Sequence, residues 1–244
     1  MDCSKNSKIT VLVILFSFLI WAPGIAQSAS EILNESIKYH DPDGVWTTLS
    51  AQLHILMETP DASNRNSFVS INRLKGSFSM EVKKDGIVVT RYLTSDTCYT
   101  LLNGKESFTI AERDTFKLTC ERTKMYRDYY TFLYGMPMKI RDNGAHLNEN
   151  ALLVNFKGKK YWKLKVTYDE AVGKDVWYFY FNTKTFALEA YQFFHNENTN
   201  DGEYILFSNE LTYKGMKIPK VRKWYMNRDD QYLGVDDLIS IKSL

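Results

Sequence analysis

The chain has 244 residues, with 31 Lys and Arg against 29 Asp and Glu, a net charge of +2. So small a net charge makes no field of one sign and excludes the basic footprint of a nucleic-acid binder. The 16 Tyr, 14 Phe and 5 Trp, with only 5 Pro, favour a pleated, half-buried sheet, and the length suffices for one domain with a proper core.

The N-terminus reads as a secretory signal peptide. Lys5 and Lys8 precede an apolar run from Ile9 to Trp21, Pro23 and Gly24 break it, and Gly24-Ile25-Ala26 offers small residues for cleavage near Ala26. The run falls short of the ~20 residues of a membrane span. The expected layout is therefore a signal peptide over 1–26 and a single domain over 27–244, with no transmembrane segment in the mature chain. The expected location is the periplasm or outside the cell.

Ala29 to Tyr39 reads as a first helix, capped by Ser30, with Ile32, Leu33, Ser36 and Ile37 on one face. His40-Asp41-Pro42-Asp43-Gly44 is a turn, and Trp46 follows as an anchor onto the sheet. Strand patterns then cover Ala51–Thr59, Phe68–Leu74, Ser77–Lys83, Ile87–Leu93 and Cys98–Leu102. Pro60 to Asn66 reads as a polar connection, and Asp85-Gly86 marks a hairpin.

From Glu112 to Leu133 the apolar residues change to helical spacing. One helix is expected, starting between Ala111 and Glu121, with Gly135 just past its end and Pro137 blocking continuation. Strand patterns return at Leu152–Phe156, Tyr161–Tyr168, Val176–Asn182, Ala187–Phe194, Glu203–Tyr213, Met216–Asn227 and Leu238–Lys242. Short strands joined by turns read as an antiparallel meander, and nothing alternates as a parallel α/β fold would.

About a dozen strands in one twisted sheet tend to curl. Tyr161–Tyr168 carries Trp162, Leu164, Val166 and Tyr168 on one face and wetter residues on the other. Val176–Phe181 is bulky on both faces, with Trp177, Phe179 and Phe181 on one and Val176, Tyr178 and Tyr180 on the other. Such a strand must be covered on both sides, by helices or by a curved sheet that encloses something. In the next strand Tyr191 and Phe193 should oppose Leu188, Gln192 and Phe194. The fold class expected is α+β, mostly antiparallel β: a curved sheet or half-barrel with an N-terminal helix and one central lid helix.

Two cysteines lie beyond the leader, Cys98 and Cys120. Export exposes them to an oxidising compartment, so a disulfide is expected, worth about 3 kcal/mol by the chain-entropy argument. No metal-ligand spacing links His40, His54, His146 and His195, and no nucleophile elbow, Walker loop or dinucleotide fingerprint is present. His40 reads as part of a turn and His54 as a surface residue. No catalytic residue, metal or cofactor is singled out.

Arg127 has two readings: a structural Arg joining helix to sheet, or a partner for a carboxylate or phosphate head at the mouth of a cavity. The candidate ligand-binding set is Arg127, Tyr130, Met136, Met138, Trp162, Trp177, Phe179 and Phe181.

Several separated motifs carry a resemblance. These are Tyr39-His40-Asp41-Pro42 before Trp46, Arg127-Asp128-Tyr129-Tyr130, Tyr134-Gly135-Met136-Pro137-Met138-Lys139 with Asp142, and Asp175 to Tyr180. Ile218-Pro219, Trp224-Tyr225 and Leu233-Gly234-Val235-Asp236 continue the series. Together they resemble an exported family of flavobacteria and related Bacteroidota that carries a domain of unknown function. That resemblance implies no activity and no catalytic residues. The order helix, strands, helix, strands is similar to the periplasmic lipoprotein-carrier half-barrel, and this second resemblance implies an apolar concavity able to hold acyl chains. The expected function is non-catalytic binding of a lipid or other hydrophobic molecule. The alternatives are an exported hydrolase and a structural or interaction module of the envelope.

Overall fold

The computed structural model describes residues 27–244, so the signal-peptide reading lies outside the described residues. Among the described residues, thirteen strands form one open, curved sheet, antiparallel at every pairing. The first arm contains β1 (Ser50–Thr59), β2 (Ala62–Asn72), β3 (Ser77–Lys84), β4 (Ile87–Leu93) and β5 (Cys98–Leu102). The second contains β6 (Ala145–Leu147), β7 (Leu152–Phe156), β8 (Lys159–Tyr168), β9 (Val176–Asn182), β10 (Leu188–Phe194), β11 (Glu203–Tyr213), β12 (Met216–Met226) and β13 (Tyr232–Ser243).

Each arm is a meander, and the two are spliced where β1 pairs with β13. Their far edges are β5 on one side and β6 with β7 on the other. The chain must therefore return from one edge of the sheet to the other between β5 and β6. That return carries the central helices, α2 (Ile110–Phe116) and α3 (Cys120–Gly135). The N-terminal helix α1 (Ala29–His40) packs into the same core. The expected fold class holds, but the central helical region is two helices rather than one. Lys117 sits in the left-handed region (φ 52°) and breaks it. Thr109 and Glu112 form a capping box on α2, and the Thr119 hydroxyl accepts from the Arg122 N–H to start α3.

Several boundaries differ from the sequence reading. Ser28, not Ser30, precedes α1. β2 begins at Ala62, so the expected polar connection to Asn66 is already strand, paired with β1, exposed at Ala62 to Asn64 and half-buried at Arg65 and Asn66. β13 begins at Tyr232, six residues before the expected start. Its Gly and Asp residues look like loop, yet they pair with β1 and β12. Leu188, expected beside Gln192, lies in the main core because the ladder slips by one residue between Leu188 and Ala190.

His40 is buried instead of sitting in an exposed turn. Its Nε2 accepts from the Leu188 N–H (2.9 Å), and its Nδ1 faces the Lys217 carbonyl oxygen (2.7 Å). Only a neutral imidazole protonated on Nδ1 satisfies both. Burial accordingly holds its pKa below the usual histidine value, against the opposing bond to Lys217.

Asp41 accepts from the N–H groups of Val45 and Trp46 and so fixes the turn that presents the indole. Trp46 packs against Gly135, where a Cβ would lie 2.3 Å from the ring. Gly135 is thus the last residue of α3 and is needed for close approach, not as a left-handed residue beyond the helix. A cis Met136–Pro137 bond follows, and Met136 is buried.

Both faces of β9 are covered by protein. Trp177, Phe179 and Phe181 face the main core. Tyr180 belongs to a separate cluster on the other face with Tyr161 and Ala190, under Val154 and Phe156 of β7. Phe156 stacks on Tyr180 with ring centres 4.1 Å apart, so the tip of the β7–β8 hairpin supplies the outer cover.

Candidate functional site

Helix α3 lies against β4 and β5, and Cys98 of β5 is bonded to Cys120 at its first residue, as expected. Along this flank Tyr126, Tyr130 and Tyr134 form an i, i+4, i+8 stripe. Each meets an arginine from the sheet. Arg91 lies over Tyr126 (5.3 Å) and donates to the Phe116 and Lys117 carbonyls at the end of α2. Arg65 donates to the Tyr130 hydroxyl (3.3 Å), and Arg222 lies 4.0 Å over the Tyr134 ring. Burial pushes the Tyr130 phenol up to about 12, so it is neutral at physiological pH.

On its other flank α3 leaves a groove of about 1120 Å³ against the second arm. Met125, Tyr129, Phe132 and Leu133 line it from the helix, and Trp177, Phe193 and Trp224 line it from the sheet. The aromatic wall is continuous: Trp177 stacks on Phe193 (4.8 Å) and meets Phe132 (4.7 Å). The sheet register explains the belt, since Trp177 pairs with Phe193 and Phe193 with Glu203, all on the face that α3 covers.

The mouth is polar. Asp175 and His195, each two residues outside the belt, pair at 2.7 Å. That bond, the largest influence, raises the His195 pKa, while burial raises that of Glu203 beside it. The floor holds Asp236, in register with Arg222 on one side and with Met57 on the other, and Met57 is in register with Arg65. Asp236 is 6% exposed, and burial lifts its pKa against the pull of Arg65 and Arg222. Gly234 lets β13 reach this position, because a Cβ there would lie 2.6 Å from the Glu58 carbonyl oxygen.

Of the eight candidate ligand residues, Trp177 alone lines this groove. Tyr130, Met136, Phe179 and Phe181 are buried, and Met138 and Trp162 pack at the edge of the core. Arg127 is not among the lining residues and pairs with its exposed neighbour Asp128 (2.8 Å), which is. The arginines that join helix to sheet are Arg65, Arg91 and Arg222. Their signal was a lone Arg at an inward position of a strand, as in Val89-x-Arg91-x-Leu93 of β4. Phe132, Phe193 and Trp224 were legible as aromatics but not as neighbours. Asp236 was hidden by the late start assigned to β13. No cluster of metal-ligating side chains occurs among the described residues.

No curated protein matches the chain. Three solved structures are similar to it at low identity. A LolA superfamily protein from Nitrosomonas europaea has 13% identity over 90% of this chain and 94% of its own, with a TM-score of 0.48. A candidate outer membrane lipoprotein-sorting protein domain from Vibrio parahaemolyticus has 9% identity over 88% and 92%, with a TM-score of 0.49. A DUF1329 family protein from Desulfovibrio piger has 8% identity over 88% and 92%, with a TM-score of 0.46. At the level of the family the match runs along nearly the whole sequence, from residue 8 to residue 240, and the chain belongs to the family of unknown function DUF6503.

Proposed function

We propose that this is an exported, non-catalytic binding protein, of the periplasm or the outside of the cell, that holds a lipid, acyl chain or other hydrophobic molecule in the groove beside α3. The observation that carries this reading is the groove itself: about 1120 Å³, walled by Phe132, Trp177, Phe193 and Trp224, and left open where the opposite flank of the same helix is packed shut. An apolar, preformed concavity with a few polar groups at its ends is the usual form of a small-molecule site. The test is native mass spectrometry of the purified protein, followed by titration with a fluorescent acyl-chain probe. Copurified lipid or saturable binding, weakened in Trp177→Ala, is the expected result. Absence of both sinks the reading.

A second reading is an exported hydrolase. It is favoured by the Asp175–His195 pair beside Glu203 at the mouth, where an imidazole oriented by a carboxylate can activate water. Turnover of acyl esters lost in His195→Ala would support it. Turnover unaffected by that change would remove it.

A further inference from the structure

The floor of the groove has a chemical preference that its walls do not. Asp236 is the point of interest: more than nine-tenths buried, part of the groove lining, and with its Oδ1 free of any hydrogen-bond partner among the described residues. A buried carboxylate oxygen without a donor is costly, and native structures leave few. A bond from the Trp224 side chain reaches the same carboxylate, and the two nearest cations leave Oδ1 unpaired, with the Nε of each also unpartnered. Arg65 is turned to the Tyr130 hydroxyl, and Arg222 donates to the Pro219 carbonyl oxygen (2.7 Å) under Tyr134. Neither arginine lines the groove, so a ligand entering it meets the carboxylate and not the guanidinium groups behind.

The walls extend the same preference. Glu121 and Glu203 line the groove along with Asp236, against Lys124, while Asp128, Lys139 and His195 each lie in an ion pair, with Arg127, Asp142 and Asp175. At the floor an anionic head faces like charge and finds an acceptor where it needs a donor.

Resting on the proposed binding function, we propose that the groove takes a single-chain amphiphile whose polar head donates hydrogen bonds to Asp236, through an ammonium or hydroxyl group, and discriminates against an anionic head. The aromatic belt holds the chain, and the Asp236 carboxylate receives the donor. Leu233-Gly234-Val235-Asp236 is then the segment that builds the head-group site: Gly234 allows the close strand approach and Asp236 receives the ligand.

The test is calorimetric titration of the purified protein at neutral pH with dodecylamine, 1-lauroylglycerol and laurate, each below its micellar concentration. The amine and the glyceride are expected to bind at least about tenfold more tightly than laurate. An amine tighter than the glyceride assigns the head to a cation, and equal binding assigns it to a neutral donor. Asp236→Asn should weaken the amine about tenfold and leave laurate unchanged or tighter. The wild-type comparison stands even if that variant folds poorly next to two arginines. Laurate binding as well as the others overturns the head-group assignment alone. Binding of none overturns both this assignment and the binding function.

Discussion

The two flanks of helix α3 face the same sheet and have opposite fates. Toward β4 and β5 the helix is pinned by the Cys98–Cys120 bridge and by Tyr126 under Arg91, and the tyrosine stripe runs on to Arg65 of β2 and Arg222 of β12. Toward β9, β10 and β12 it presents Met125, Tyr129 and Phe132 to an aromatic wall it does not touch along its full length. Hydrophobicity does not distinguish the flanks, since both are rich in aromatic side chains. Directional groups do. On the sealed flank every tyrosine has a cation at a defined distance, and such pairs fix the spacing between helix and sheet. On the open flank the polar groups lie at the mouth and the floor, leaving a gap between them.

The comparison can be broken from the sealed side first. Replacing Cys98 and Cys120 by Ser removes a closure spanning 22 residues and should cost about 3 kcal/mol in urea unfolding. Gly135→Ala forces a Cβ into the Trp46 ring and should cost about 2 kcal/mol by the same measurement, as overpacked cores do. Tyr130→Phe deletes the acceptor for Arg65 and should cost about 1 kcal/mol. Phe132→Ala on the open flank should invert this pattern, with about tenfold weaker binding of an acyl-chain probe and a loss of stability smaller than that of the disulfide variant.

The smallest effect is a pH dependence that belongs to neither flank. His40 has a depressed pKa in the folded state, so the unfolded chain takes up its proton first on acidification. Its stabilising contribution is complete above about pH 6.5 and is lost as the pH falls below that value toward the folded pKa. Unfolding titrations at stepped pH should show stability declining through this window, and His40→Gln should flatten the decline while lowering stability throughout.

Much of the fold was legible because it is written in local patterns. Alternation along β3, β4 and β9, the Asp85-Gly86 turn and the spacing of Cys98 and Cys120 each report on a few adjacent residues or on a simple pairing. The misread elements share one cause. The polar start of β2 and the Gly- and Asp-bearing start of β13 have weak strand propensity of their own and become strand through pairing with β1. Leu188 changed faces because of a ladder slip that alternation does not encode.

By itself, then, the sequence determined the class of the fold, its helical interruption and the abundance of aromatic side chains. Tertiary structure decided which of them pack and which line a space. Trp177 and Phe179 belong to one strand and one face, two residues apart, yet Phe179 is fully buried and Trp177 borders the groove. The difference is set by where α3 crosses above them. That crossing depends on a disulfide, a glycine against Trp46 and three arginines drawn from β2, β4 and β12. No local window contains all of these, because burial is a property of the assembled neighbours and not of the residue alone.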